Sequence, residues 1–143
     1  MSVLATYAVN EYMASVMNPF LDEGEMEFDP GSPGAATSDT TFCTYKLVQG
    51  RDHNQPYIHM DSLTVKVYHT SFDILQNMVD AVLDALNNES VYDNADLMAA
   101  GLADDIRFQN IVATAGDHAQ NDFIDSTEYH TVRLDILLEY IKL

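Results

Sequence analysis

The residues best suited to chemistry in this 143-residue sequence are its five histidines, because imidazole groups bind metals and transfer protons near neutral pH. His59 and Asp61 alternate along a predicted strand and share one face, while His69 stands at the other end of that segment. At about 3.3 Å per residue, His59 and His69 lie roughly 30 Å apart and cannot bind one metal ion. His118 follows Asp117 in a predicted loop, and neither a His-Glu-x-x-His motif nor facial-triad spacing occurs. We therefore expect no metal site.

Carboxylate pairs such as Asp104-Asp105 and Asp22-Glu23 are a second candidate, since paired acids serve as general acid and base. The sequence holds 23 acidic residues, however, so close pairs arise without any requirement for catalysis. Asp52, Asp61 or Asp122 could bind a cation, but the Asp-x-Asp-x-Asp-Gly loop of calcium sites is missing. The Gly-x-Ser-x-Gly turn of serine hydrolases is missing too. The sequence therefore predicts no enzyme, no catalytic residue and no cofactor.

The charge of the chain is its most unusual property. Six basic against 23 acidic residues give a formal net charge of −17, and only three lysines are present. This excess of acid opposes binding to nucleic-acid phosphates and to anionic membranes, because few cations are available to replace counterions. Molar salt shortens the screening length to about 3 Å and removes the self-repulsion of such a surface. We interpret the composition as halophilic, with an acidic protein of ordinary salt as the alternative.

The composition predicts one folded domain over residues 1–143. The hydrophobic content of 47% suits a globular core, and no apolar run is long enough to cross a bilayer. The first residues, Met1-Ser2-Val3-Leu4, lack the basic region and long apolar stretch of a signal peptide. The single cysteine, Cys43, cannot form a disulfide within the chain and is expected to be a buried structural thiol.

A strand followed by a helix, in the middle of the chain, organises the predicted fold. The alternating apolar residues of this strand are Leu63, Val65 and Val67. Thr70 or Ser71 can then cap a helix whose apolar residues recur at helical spacing. They are Ile74, Leu75, Met78, Val79, Val82, Leu83 and Leu86. Asn87-Asn88 is predicted to end the helix, because asparagine tolerates the left-handed cap conformation.

The remaining segments complete an α+β fold. Residues 2–17 show helical spacing that stops before Pro19, and residues 96–103 are a candidate short helix. Alternating apolar residues predict strands at 41–49, 57–60, 106–114 and 131–140. A polar loop is predicted at 115–126, between the last two of these strands. In the third of these, Ile106, Phe108 and Val112 are expected on one face. The prediction is a four- to five-stranded antiparallel or mixed sheet, packed by an N-terminal helix and one central amphipathic helix.

Residues 21–40 are predicted to form a long loop or the tip of an extended hairpin. This stretch begins with the acidic turn Asp22-Glu23-Gly24-Glu25 and contains Asp29-Pro30-Gly31-Ser32-Pro33-Gly34, with two prolines and two glycines. Loops of this length in a compact domain are usually functional or ordered on binding. The Gly-Lys-Ser/Thr ending of a phosphate-binding loop is missing, so the stretch does not indicate a nucleotide site.

Five short motifs follow the predicted N-terminal helix in a characteristic order. They are Pro56-Tyr57-Ile58, Val65-Lys66-Val67-Tyr68, Asp84-Ala85-Leu86-Asn87, Ile106-Arg107-Phe108 and His130-Thr131-Val132-Arg133-Leu134. Their order and spacing, over about residues 56–142, resemble the tail-completion or tail-terminator family of long-tailed viruses. The sequence departs from that family in its extreme acidity and in the long loop at 21–40. Set beside the family, the acidity points to a virus of a halophilic, haloarchaeal host.

The resemblance implies a structural virion protein, made in the host cytoplasm and located at the tail–neck junction. Subunits of this family form a ring, commonly a hexamer, that stops tail polymerisation. The implied partners are other copies of the chain, the tail tube protein and a head-side connector or stopper protein. Viral DNA would pass through the lumen without sequence readout, and an acidic lumen would repel its phosphates.

Apolar residues in the long loop and in the linker after the central helix are the predicted contacts with other subunits, the tail or the neck. They are Met26, Phe28, Pro30, Pro33, Val91, Tyr92, Leu97 and Met98. Other functions stay open: another neck component, such as a head-completion or connector protein, an acidic DNA-mimic inhibitor, or a small enzyme of a halophile. A DNA mimic requires acids concentrated on one elongated face, and an enzyme requires a pocket with converging polar groups.

Overall fold

The computed structural model describes residues 3–21, 28–30, 41–52, 58–88, 106–116, 120–124 and 126–142. These stretches contain two α-helices, α1 (Val3–Met17) and α2 (Phe72–Leu86). They also contain six strands: β1 (Phe28–Pro30), β2 (Thr41–Asp52), β3 (Ile58–His69), β4 (Ile106–Ala115), β5 (Gln120–Ile124) and β6 (Thr127–Lys142). A 3-10 turn at Asn18–Phe20 follows α1 and includes Pro19. Neither described helix is long and apolar enough to cross a membrane.

One sheet contains all six of these strands. Its order is β1-β2-β3-β6-β4, and β5 pairs with β6 beside this path. The four long strands pair antiparallel, whereas β1 runs parallel to β2 at the sheet edge. The predicted α+β fold, with an N-terminal helix and one central helix against the sheet, is confirmed. Besides the four long strands, the sheet contains two short strands, β1 and β5.

Strand β6 is the centre of the sheet. It pairs with β3 along residues 130–141 and with β4 along residues 134–142. It also pairs with β5 along residues 127–131. Because β3 already pairs with His130 and Thr131 on one edge, β5 must occupy the other edge, on the same side as β4. The start of β6 and the whole of β5 therefore form a hairpin adjoining β4.

The hairpin corrects one sequence prediction. A polar loop was expected over residues 115–126, but Gln120–Ile124 forms strand β5. Alternation could not reveal it, because Phe123 and Ile124 are adjacent and the other residues of the strand are polar. Ser126, in the turn, has a φ of 70°, a left-handed conformation that suits a tight reversal of the chain.

The hydrophobic core lies between the helices and one face of the sheet, which we call the inner face. Alternate residues of the long strands point toward it, because side chains in a strand alternate between its two faces. On β6 these are Val132, Leu134, Ile136, Leu138 and Tyr140, all buried as predicted. Cys43 of β2 lies in the same core and is fully buried, which confirms the predicted burial of its thiol.

Helix α2 packs on this face through a stripe of buried residues. They are Leu75, Met78, Val79, Val82 and Leu86, as the helical spacing predicts. Ser71 caps the helix by accepting a hydrogen bond from the backbone N–H of Ile74 at 3.5 Å. The helix ends at Asn87 as predicted, but not in the expected left-handed conformation, since the φ and ψ of Asn87 are −87° and −1°. Its side chain instead binds the backbone of Ala113 in β4 twice.

The Asn87 side chain and the Ala113 backbone are joined by two hydrogen bonds, each 2.9 Å long. The Asn87 amide Nδ2 donates to the carbonyl of Ala113, and the backbone N–H of Ala113 donates to Asn87 Oδ1. The side chain therefore satisfies a backbone donor and a backbone acceptor that β4 presents to the helix. A tertiary contact, which the local sequence does not indicate, thus determines the conformation at the end of α2.

A register shift in β4 overturns a third prediction. The sequence placed Val112 on the same face as Ile106 and Phe108, but an irregularity between Phe108 and Asn110 adds one residue to the strand. Ile111 therefore turns inward and is buried. Val112 points to the opposite face and is 42% exposed. The prediction for Val112 is wrong because a bulge reverses the alternation of every residue that follows it.

Candidate functional site

The histidine and aspartate that share strand parity, His59 and Asp61, belong to a buried polar cluster around Tyr140. The Tyr140 hydroxyl donates to Asp61 Oδ2 at 3.0 Å, and the His59 ring stacks on the Tyr140 ring with centroids 5.5 Å apart. The Phe108 ring meets Tyr140 edge to face at 6.1 Å. Asp61 is 1% exposed and Tyr140 is fully buried, so a substrate cannot reach the carboxylate. The cluster is part of the core.

The other two described histidines support the start of α2. His69 Nδ1 accepts a hydrogen bond from the backbone N–H of Ser71 at 2.8 Å. His130 is the strand partner of His69, and its ring contacts Phe72 edge to face at 5.7 Å. Nδ1 of His130 also lies 2.9 Å from Asn121 Oδ1 in β5. These imidazoles therefore connect α2 to the hairpin. Within the described stretches, no three His, Cys, Asp or Glu residues are placed to hold a metal ion.

A second region of interest is the face of the sheet turned away from the helices, which we call the outer face. Val112 of β4 and Leu137 of β6 are strand partners on this face, 42% and 39% exposed. At the β5 end of the same face, Tyr68 and Tyr129 are buried against each other with centroids 6.3 Å apart. The Val112–Leu137 pair is therefore an exposed apolar site on the outer face, at the β4 edge of the sheet.

Cations concentrate on this face. Of the six basic residues in the chain, three have described side chains, Lys66, Arg107 and Arg133, and all three occupy outer-face positions. Arg133 contacts Asp135 at 3.3 Å, and Asp135 Oδ1 also accepts from the Thr64 hydroxyl at 3.2 Å. We call Lys66, Arg107, Val112, Arg133 and Leu137 the outer patch. Its apolar centre and surrounding charges are typical of a protein-binding surface.

The exposed side of α2 has the opposite character. Asp73, Asn77, Asp80 and Asp84 are exposed and lie three or four residues apart, so they form one stripe along the helix. We call these four residues the acidic stripe. Phe72, at the start of the same helix, is 46% exposed and is the apolar residue next to the stripe. The molecule therefore presents a negative helix surface on one side of the sheet and a cation-bearing surface on the other.

The β5–β6 hairpin carries the most exposed large apolar side chain of the described residues, Phe123, at 72% exposure. Hydrogen bonds across the hairpin hold its polar side chains in place, since Asn121 Nδ2 donates to Glu128 Oε1 at 2.8 Å. An exposed aromatic ring on an ordered hairpin is a candidate contact for a larger assembly.

Most of the contact residues predicted from the sequence lie outside the part of the chain that the structure describes. Met26, Pro33, Val91, Tyr92, Leu97 and Met98 are not among the described residues. For Phe28 and Pro30 only the backbone is described: it forms β1 and pairs with Cys43 and Tyr45 of β2. These predictions therefore stay untested, as does the short helix at 96–103. Sequence reasoning missed Leu137, although its position on the polar side of β6 indicates exposure.

Comparisons with known proteins show what the fold is similar to. No family model matches the sequence, and no curated protein matches it. Among solved structures, the chain is similar to one from the virion of a native gene transfer agent particle, with a TM-score of 0.53 and 13% sequence identity. The match covers 97% of this chain and 94% of the other. At this identity the likeness shows a shared fold.

Proposed function

We propose that this chain is a structural protein of a virion. The observation that carries the proposal is the match to a chain of a gene transfer agent virion, which spans 97% of this chain and 94% of that one. A likeness over nearly the whole of both chains relates them as complete folds rather than through one shared motif. The family resemblance of the sequence, to tail-completion and tail-terminator proteins, agrees with it.

The proposed role is to form a ring, with six subunits, that terminates the tail tube and joins it to the head-side connector or stopper protein. This role requires surfaces for neighbouring subunits and for two other partners, and it requires no catalytic group, metal or cofactor. The outer patch, the acidic stripe and Phe123 are three separate exposed surfaces of the kind that an assembled subunit needs.

The charge suits the passage of DNA through such a ring. A net charge of −17 per subunit repels phosphates, so the genome would move through the lumen without being bound or read. The same charge is best tolerated at high ionic strength, where repulsion between subunits is screened. We therefore place the assembly in a halophilic virus or virus-like particle.

The first test is the mass of the purified protein, measured by light scattering at low and at molar salt. We expect particles near six times the 16.0 kDa of one chain, and we expect molar salt to favour them. Electron microscopy of the same sample should show closed rings with a central opening. A protein that stays monomeric at both salts and at high concentration would contradict the ring.

A second experiment locates the protein in the particle. Antibodies raised against the purified chain, coupled to gold and applied to particles from its source, should label the junction of head and tail. Label spread over the capsid would contradict the tail role while keeping a virion protein. Particles that lack the chain altogether would contradict the virion assignment itself.

A further inference from the structure

The outer patch and the acidic stripe are complementary in charge and lie on opposite sides of the molecule. The outer patch carries three cations, Lys66, Arg107 and Arg133, on the face turned away from the helices. The acidic stripe carries Asp73, Asp80 and Asp84 on the exposed side of α2, which packs on the other face. Surfaces placed in this way cannot meet within one chain, but they can meet between two copies.

We propose that the outer patch of one subunit binds the exposed side of helix α2 of the next subunit. Such a contact is head-to-tail, because each copy contributes a different surface to it. A head-to-tail contact closes into a ring when its rotation brings the last copy back to the first, and otherwise it grows into an open filament. The inference rests on the ring of the proposed function and states which two surfaces of the chain build it.

The spacing of apolar and charged groups matches between the two surfaces. On β6, Leu137 and Arg133 are four residues apart, which is about 13 Å along a strand. On α2, Phe72 and Asp80 are eight residues apart, which is about 12 Å along a helix. Measured along the helix axis, Asp80 would therefore reach Arg133 when the first turn of α2, which carries Phe72, lies at the Val112–Leu137 pair. One contact would bury the exposed apolar groups of both surfaces and pair their charges.

The positive charges of the outer patch are not all paired with acidic residues that the structure describes in the same subunit. Lys66 and Arg133 are strand partners, and like charges directly opposite each other destabilise a sheet. Arg133 pairs with Asp135, but Lys66 has no ion pair with any residue that the structure describes. Carboxylates from a neighbouring subunit would supply the missing opposite charge, whereas at molar salt the apolar contact would hold the surfaces together.

A second copy fits this surface better than nucleic acid does. Asp135 and Glu139 lie on the same face as the cations, and the exposed apolar pair Val112–Leu137 is at its centre. A phosphate backbone would meet carboxylates and apolar side chains here, in a protein whose overall charge repels it. The exposed side of α2 in another copy meets the same carboxylates, but it also brings the partly exposed ring of Phe72 to the apolar pair, which a phosphate backbone cannot do.

The test uses reversed charges on the full chain, at the lowest salt where the parent protein forms rings. Arg133→Asp and Asp80→Arg should each raise the concentration needed for assembly by about tenfold or more, because each places like charges in the contact. Their equimolar mixture, and the double variant carrying both changes, should assemble again, since the opposite charges are restored across the contact. Glu11→Arg, on the exposed side of α1, is the matched control and should assemble like the parent.

The outcomes separate this inference from the proposed function. If the parent forms rings and neither single variant weakens them, the proposed contact surfaces are wrong, whereas the proposed ring is supported. If both singles weaken assembly but the double variant and the mixture do not recover it, the two residues do not meet and the inference also fails. Binding of duplex DNA fragments that Arg133→Asp abolishes would assign the patch to nucleic acid. A parent that never assembles would overturn the ring together with its contact.

Discussion

The inner and outer faces of β6 come from one strand of 16 residues, but their surroundings differ completely. Leu134 points inward and is fully buried beneath the helices, whereas Leu137, three residues later, is 39% exposed. The inner face places apolar groups against one continuous core, and the outer face presents an apolar pair among charges. We infer that the inner row mainly determines folding stability, while the outer row is available for assembly.

The largest difference in stability between the two faces is expected when one leucine on each face is shortened to alanine. Leu134→Ala should lower the free energy of unfolding by about 2–5 kcal/mol, because it leaves a cavity in the core. Leu137→Ala, the matched control, should lower it by less than about 1 kcal/mol, because its side chain is already partly in water. Denaturant unfolding in molar salt, at protein concentrations where the chain is monomeric, measures both. Equal losses would contradict the division between the two faces.

A second prediction concerns polar groups on the inner face. Tyr140→Phe removes the hydroxyl that donates to Asp61 and leaves a buried carboxylate without that hydrogen bond. We expect unfolding to become easier by about 1–3 kcal/mol, since a buried polar group that loses its partner retains its desolvation cost. Thermal and denaturant unfolding report the change. Tyr7→Phe, at an exposed position on α1, should leave stability unchanged, and an equal loss there would point to a general effect of the substitution.

The contact between the helix layer and the sheet gives a third, smaller effect. Asn87→Ala removes two hydrogen bonds to Ala113 and leaves the backbone of β4 without those partners. A loss of about 1–2 kcal/mol is expected. Hydrogen exchange should quicken at the amide of Ala113 more than in the middle of β3. Asn77→Ala, on the exposed side of α2, is the control, and a similar exchange pattern there would show that the Asn87 bonds are unimportant.

The smallest effect is expected on the outer face. Arg133→Ala breaks an exposed ion pair with Asp135, and such pairs contribute between about 0 and 1 kcal/mol. In molar salt we expect no measurable change in the unfolding of the monomer, because screening removes most of the attraction. Denaturant curves of the parent and the variant should overlap. A loss comparable to that of Leu134→Ala would show that the outer face also holds the fold together.

Much of the fold could be predicted from the sequence because local rules agree with the tertiary structure there. The inner row of β6 follows strict alternation, and α2 begins at a capping serine with its apolar stripe in register. Prediction failed where a distant contact decided the local conformation. The bulge before Asn110 reversed Val112, and the backbone of Ala113 set the conformation of Asn87. Neither effect leaves a signal in the residues near it.

The candidate surfaces were harder to predict for a similar reason. Leu137 could have been recognised, because it interrupts the polar row of β6, but Val112 becomes exposed only after the bulge is known. Complementarity between the outer patch and the acidic stripe depends on which sides of the molecule they occupy. That information comes from the packing of α2 on the sheet and not from the order of residues.

The central place of β6 has a consequence for how the protein is made. Synthesis proceeds from the N-terminus, and β3 and β4 are joined in the sheet only through β6, which follows both of them. A chain broken before Thr127 would leave each of these strands with an unpaired edge, and it could neither close the sheet nor bury the inner face. We therefore expect truncated chains that lack β6 to be too unstable to escape proteolysis or to join an assembly.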